Sequence, residues 1–163
     1  MKFSLCLFFK HNTFALIAQN SFAQSKSVEA LYQKHKGNPD FFHMDLSGNF
    51  MNFAKGFNIN LDEDQSTLLT KSLEKLKLFK LPAVASSKAE FMGLQKGLEK
   101  EKFDLMMELS EKNNNVMIYT KGNSKINDIV LMVNDKNSDF IIIELKGDFD
   151  SKMLSDVGKS VGK

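Results

Sequence analysis

The sequence predicts an α+β fold: N-terminal helices and two strands, then a four-stranded antiparallel meander and a C-terminal helix, in a single domain. Three observations predict it. Apolar residues recur at helical spacing in the first two thirds of the chain. From Phe103 onward the period changes to two. Asn113-Asn114-Asn115, Gly122-Asn123-Ser124 and Asn134–Ser138 divide that region into short runs, and short links between strands mean hairpins. The chain has 163 residues, 42% hydrophobic and 26% charged, which suits one domain with its own core.

The first 23 residues read as an imperfect signal peptide. Lys2 supplies the positive start, apolar residues follow, and Ser21-Phe22-Ala23 sets small residues ahead of a cut before Gln24. Lys10-His11-Asn12 splits the apolar stretch into Phe3–Phe9 and Thr13–Ala18. The competing reading is a buried or frayed N-terminal segment of a cytoplasmic protein. Cys6 lies too early and in the wrong context for a lipid-anchored leader. Residues 24–163 are then the folded domain, with a tail that frays from about residue 158.

Ser27 is expected to cap a helix over Val28–Lys36, with Val28, Leu31, Tyr32 and His35 on one face. Gly37 and Asn38-Pro39 stop it. Asp40–Leu46 alternates as a strand, turning Phe42, Met44 and Leu46 inward and His43 and Asp45 to solvent. Ser47 opens a short helix through Phe57, and a further helix runs to about Lys75. Leu76–Ala85 reads as an edge strand, because Pro82 has no N–H to give a ladder. Ser87 with Glu90 has the spacing of a capping box and opens a helix to about Lys100. The meander strands are Phe103–Leu109, Val116–Thr120, Ile126–Val133 and Phe140–Lys146. The last is apolar on both faces, as a central or helix-covered strand requires. Asp148-Phe149-Asp150 reads as a turn and N-cap for the closing helix.

Charge and composition exclude several functions. All 22 basic residues are Lys, and Arg and Trp are absent. Removing the leader leaves 20 Lys against 20 acids, a balance with no electrostatic footprint for nucleic acid or an anionic membrane. No apolar run reaches the roughly 20 residues of a membrane span. Cys6 leaves with the leader, so the mature chain is cysteine-free, without disulfide, thiolate nucleophile or Cys-ligated metal.

The remaining chemistry is sparse. His43-x-Asp45 sets two potential ligands on one strand face, and with His35 these are the candidate metal residues; a solvated strand face explains His43 and Asp45 as well. Asn58-x-Asn60-x-Asp62-x-Asp64 alternates oxygen donors like a calcium loop, but Glu63 and Leu69 stand where Gly and a bidentate Glu are needed. There is no G-x-S-x-G and no phosphate-binding glycine motif. Nine Met and fifteen Phe suit either an adaptable binding surface or a core built without Trp.

Met44-Asp45-Leu46-Ser47-Gly48-Asn49-Phe50-Met51, the Lys/Leu-rich Leu73–Leu81, and Phe140-Ile141-Ile142-Ile143-Glu144-Leu145-Lys146-Gly147-Asp148-Phe149-Asp150 stand in a telling order. As an ordered set they resemble an uncharacterised domain-of-unknown-function family of small exported Bacteroidota proteins. The resemblance covers Ser27 to Val157, and the interrupted leader without a lipidation motif departs from it. It implies a periplasmic, outer-envelope or secreted location and brings no catalytic residues. The expectation is a non-catalytic binding or interaction module for a protein or small ligand, with no cofactor, no metal and no catalytic residue assigned. The alternative is an envelope enzyme using carboxylates or a His43/Asp45 site.

Overall fold

The computed structural model of the chain describes residues 24–48, 72–112, 114–135, 137 and 139–150. Their order is α1 (Lys26–His35), β1 (His43–Ser47), β2 (Leu73–Lys80), α2 (Ser87–Lys100), β3 (Asp104–Glu111), β4 (Asn114–Gly122), β5 (Ile126–Asn134) and β6 (Phe140–Phe149). All six strands form one antiparallel sheet in the order β1-β2-β6-β5-β4-β3.

This corrects the expected four-stranded meander. Strands β3 to β6 do pair in succession, but β6 is not an edge: β2 pairs along it from Leu73↔Gly147 to Lys80↔Ile141. β1 then adds to β2, with His43 opposite Phe79 and Asp45 opposite Lys77. The predicted helix to Lys75 gives way to strand from Leu73, since pairing with β6 overrides local helix preference. β2 ends at Lys80, short of Pro82, and β6 continues through Gly147 to Phe149. Asp148 and Phe149 are therefore strand, not turn. Gly147 is needed there because a Cβ would overlap the Ser72 carbonyl where β2 shifts register. The expected helices over Ser47–Phe57 and beyond Asp150 lie almost wholly outside the described residues.

Both helices cover one face of the sheet. Val28, Leu31, Tyr32, Phe91, Leu94 and Leu98 meet Phe79, Met117, Tyr119, Val130, Met132, Phe140 and Ile142 in the main core. Alternation along β6 assigns Phe140, Ile142 and Glu144 to this side. On the opposite face, Leu73, Ile129 and Phe149 form a second cluster with partly buried Leu76, Ile118, Ile126, Leu131 and Leu145.

Two cap assignments change. Ser25, not Ser27, caps α1, accepting the Val28 amide at 3.2 Å, while Ser27 Oγ donates to Glu101 at 2.5 Å. α2 begins at Ser87, but no capping box closes. Ser87 donates to the Pro82 carbonyl, and Glu90 turns toward α1. Within β1, His43 and Asp45 are exposed and Met44 and Leu46 half-buried, as expected, but the pair just ahead of it is reversed. Phe42 is exposed and its neighbour Phe41 is buried, because Phe41 packs on Tyr32 and Phe79 with ring centroids 5.8 and 5.7 Å apart. His43 and Asp45 sit at the rim of the helix-covered side; Met44 and Leu46 belong to the other.

Candidate functional site

The three residues singled out in sequence do not converge. His35, on the buried face of α1, reaches α2, where its Nε2 lies 2.5 Å from Glu90 Oε2. Lys34 Nζ donates to the other Glu90 oxygen at 3.0 Å. Burial alone would raise the Glu90 carboxyl, but His35, Lys34 and Ser86 hydrogen-bond its ionised form and bring it to about 2. This is a clamp between two helices.

His43 and Asp45 instead gather around Tyr32. Tyr32 Oη lies 3.2 Å from His43 Nδ1, and the phenol also bonds Asp45. Burial first, then Asp45, pushes the phenol up to about 12, so Tyr32 is a neutral donor at physiological pH. His43 and Asp45 themselves stand in the open at the edge strand. The described residues contain no group of three or more His, Cys, Asp or Glu placed to hold a metal ion.

Behind Tyr32 lies a buried charged row that the sequence reading did not single out. Lys77, 3% exposed, donates to Glu29 of α1 and stands 4.3 Å from the centre of the Tyr32 ring. Across the ladder it faces Glu144, 2% exposed. Glu144 accepts from the Ser25 amide at 3.0 Å and from Gln24 Nε2 at 3.3 Å. Burial pushes the Glu144 carboxyl up, against the pull of Ser25, Lys77 and Gln24. Asp128, 4% exposed, is likewise pushed up by burial, and its Oδ1 has no hydrogen-bond partner among the described residues. Parity was the available signal. Glu144 shares its side of β6 with Phe140 and Ile142, and Lys77 shares its side of β2 with Phe79.

Two clefts can be described. One, of about 430 Å³, is lined by Asn38, Asp40, Phe42, Lys80, Leu81 and Pro82 among others. The other, of about 300 Å³, lies between the helices beside Lys34 and Glu90. Neither contains His43 or Asp45.

Among the described residues, the largest run of exposed apolar side chains lies on β3. Every one of its residues is exposed, and it pairs on one side alone, with β4. Leu105, Met106, Met107 and Leu109 are 48, 41, 37 and 53% exposed. A bulge between Leu105 and Met107 interrupts the ladder. Asp104, Glu108 and Glu111 lie along the same eight residues. Edge strands that must stay unpaired are usually kept short or studded with Lys; this one combines length, large apolar side chains and acids. No helix among the described residues is long and apolar enough to cross a membrane.

Comparisons with curated proteins and with solved structures give no match. The domain of unknown function DUF4252 is found over residues 32–157, from the middle of α1 to beyond β6, and the chain belongs to that family.

Proposed function

We propose that this protein is an exported, non-catalytic interaction module whose β3 edge takes up an extended segment of a partner protein. The leader is residues 1–23, and the working location is the periplasm, the outer envelope or the medium. The export reading rests on Lys2, the apolar stretches and Ser21-Phe22-Ala23. The binding reading rests on one observation: eight exposed edge residues carrying Leu105, Met106, Met107 and Leu109. A strand added there takes its affinity from main-chain hydrogen bonds and its specificity from alternate side chains. Met side chains re-pack around varied shapes. Asp104, Glu108 and Glu111 favour a segment that alternates apolar residues with Lys and disfavour an acidic one.

The test uses synthetic extended peptides alternating Val or Leu with Lys, and matched peptides with Asp in place of Lys. Fluorescence anisotropy should detect the basic peptides and not the acidic ones. Leu109→Lys and Met107→Lys should each weaken binding at least about tenfold, equivalent to about 1.4 kcal/mol, with unchanged thermal unfolding. Equal affinity for both peptide sets, or indifference to both substitutions, overturns the reading. A concentration-dependent dimer abolished by Leu109→Lys would assign the edge to a second copy instead.

A further inference from the structure

We infer that Glu144 is the receptor for the α-ammonium group created when the chain is cut between Ala23 and Gln24, so that processing installs an ion pair between the new N-terminus and the central strand. The inference rests on the export reading for the cut itself; the pairing stands on its own geometry.

Glu144 already takes donors from the first two residues after the cut. The Ser25 amide lies 3.0 Å from Oε1 and Gln24 Nε2 lies 3.3 Å from Oε2. Successive backbone nitrogens are no more than about 3.6 Å apart along a chain, so the Gln24 nitrogen stands one residue step from the Ser25 nitrogen that already meets the carboxylate. In the uncut chain that nitrogen is a neutral amide. After the cut it carries a full positive charge, and the carboxylate it meets is 2% exposed.

The surroundings supply that charge only in part: Lys77 favours ionised Glu144 through space, but gives its hydrogen bond elsewhere. Glu144 faces Lys77 on β2, but Lys77 Nζ is committed to Glu29 on α1. On β5, Asp128 adds a second buried carboxyl whose charge opposes ionisation of Glu144, with one oxygen unpartnered. Asp128 itself feels Lys146, Lys121 and Glu74. Burial holds Glu144 above the usual carboxylate range, the state an incoming cation would relieve.

A cation at this point also needs an explanation from α1. A positive charge at a helix N-terminus opposes the helix dipole. The fold answers with two carboxylates brought from far along the chain. Glu144 takes Ser25, and Glu101 takes the Lys26 and Ser27 amides at 3.0 and 2.8 Å. With both acids in place the ammonium sits in a net negative setting.

A group whose pKa is raised on folding adds stability that is fully present below its unfolded pKa. That stability fades as pH rises through the folded value. The mature chain should therefore be more stable than the uncut chain at neutral pH, and the difference should vanish on strongly alkaline titration.

The experiment starts from the full chain carrying a specific protease site that leaves Gln24 first, cut after folding. Heteronuclear NMR titration of the Gln24 α-amine reads the pairing. An α-amine titrating at least about one unit above the ordinary 7.7–8.0 supports the proposal, and Glu144→Gln should return it to that range. An ordinary value in the cut wild type overturns the proposal, whether or not Glu144→Gln folds. Intact mass of the protein from its own host tests the export reading separately. A chain still beginning at Met1 refutes the cut without touching the titration. A chain beginning at a cyclised Gln24, one ammonia lighter, refutes the ion pair while keeping the cut.

Discussion

Ile142→Ala tests the packing logic of the sheet most directly. Ile142 is 0% exposed at the middle of β6, opposite Phe79 on one side and Met132 on the other. Next to it on the same face, Phe140 packs on Phe91 of α2 with ring centroids 4.9 Å apart. The substitution removes three carbons, a transfer loss of about 2.4 kcal/mol at about 0.8 kcal/mol per carbon. Its neighbours are large rings and strand-anchored side chains that collapse poorly. A residual cavity of about 50 Å³ adds about 1 kcal/mol. The expected cost is about 3–4 kcal/mol, within the range for buried Ile→Ala. Urea denaturation followed by circular dichroism should show a lower midpoint at constant slope. Ile143→Ala, half-buried on the other face, should cost about half as much. A loss under about 1 kcal/mol at Ile142, or equal losses at both positions, would refute the assignment of the helix-covered face.

Two further outcomes follow from the charged groups. Glu90, held at about 2 by its partners, has a carboxyl depressed on folding, so its contribution is present above its unfolded value near 4.3 and is lost as pH falls toward 2. Glu90→Gln should flatten the acid limb of a stability–pH profile between about 5 and 2, and an unchanged profile would show that the clamp contributes nothing. Lys77→Met should cost about 3 kcal/mol by leaving Glu144 buried without its facing cation, somewhat reduced because Glu29 is partly open to water. Lys77→Met with Glu144→Gln should recover a large part of that loss, and strict additivity in the double-mutant cycle would disprove the coupling.

Local pattern made much of the molecule readable. α2 has the bounds its helical spacing predicts, and the turn residues after β4 and β5 mark true hairpins. The double-sided apolar run Phe140–Ile143 belongs to a strand flanked on both sides. Long-range pairing was not readable. Nothing local in LEKLKLFK says that it pairs with a strand more than sixty residues away, and its leucine spacing also fits a helix. The same gap hid the site residues. His43 and Asp45 were visible as a pair, but the partner that joins them, Tyr32, comes from a helix whose inward face looked purely structural. Helical spacing turns His35 inward, but the Ser87/Glu90 spacing points to a cap on α2 where Glu90 instead meets His35. Charged residues with core parity, Lys77 and Glu144, are the signal that would have drawn attention to the row beneath α1.

The position of β6 sets the order in which this chain can be built. β3, β4 and β5 are neighbours in sequence and can zip as hairpins; β1 and β2 pair with each other. Among the described strands, neither group pairs with the other until β6 enters between β2 and β5. A ribosome that has delivered everything through Asn134 has therefore released two pieces of sheet whose ladders are not yet joined. α1 also waits for one partner, because the carboxylate that takes its Ser25 amide is carried by β6. Contacts of such long sequence separation slow folding, and the described sheet cannot close until β6 arrives. Any factor that must thread or recognise an unfolded polypeptide has nearly the whole length of synthesis in which to do so.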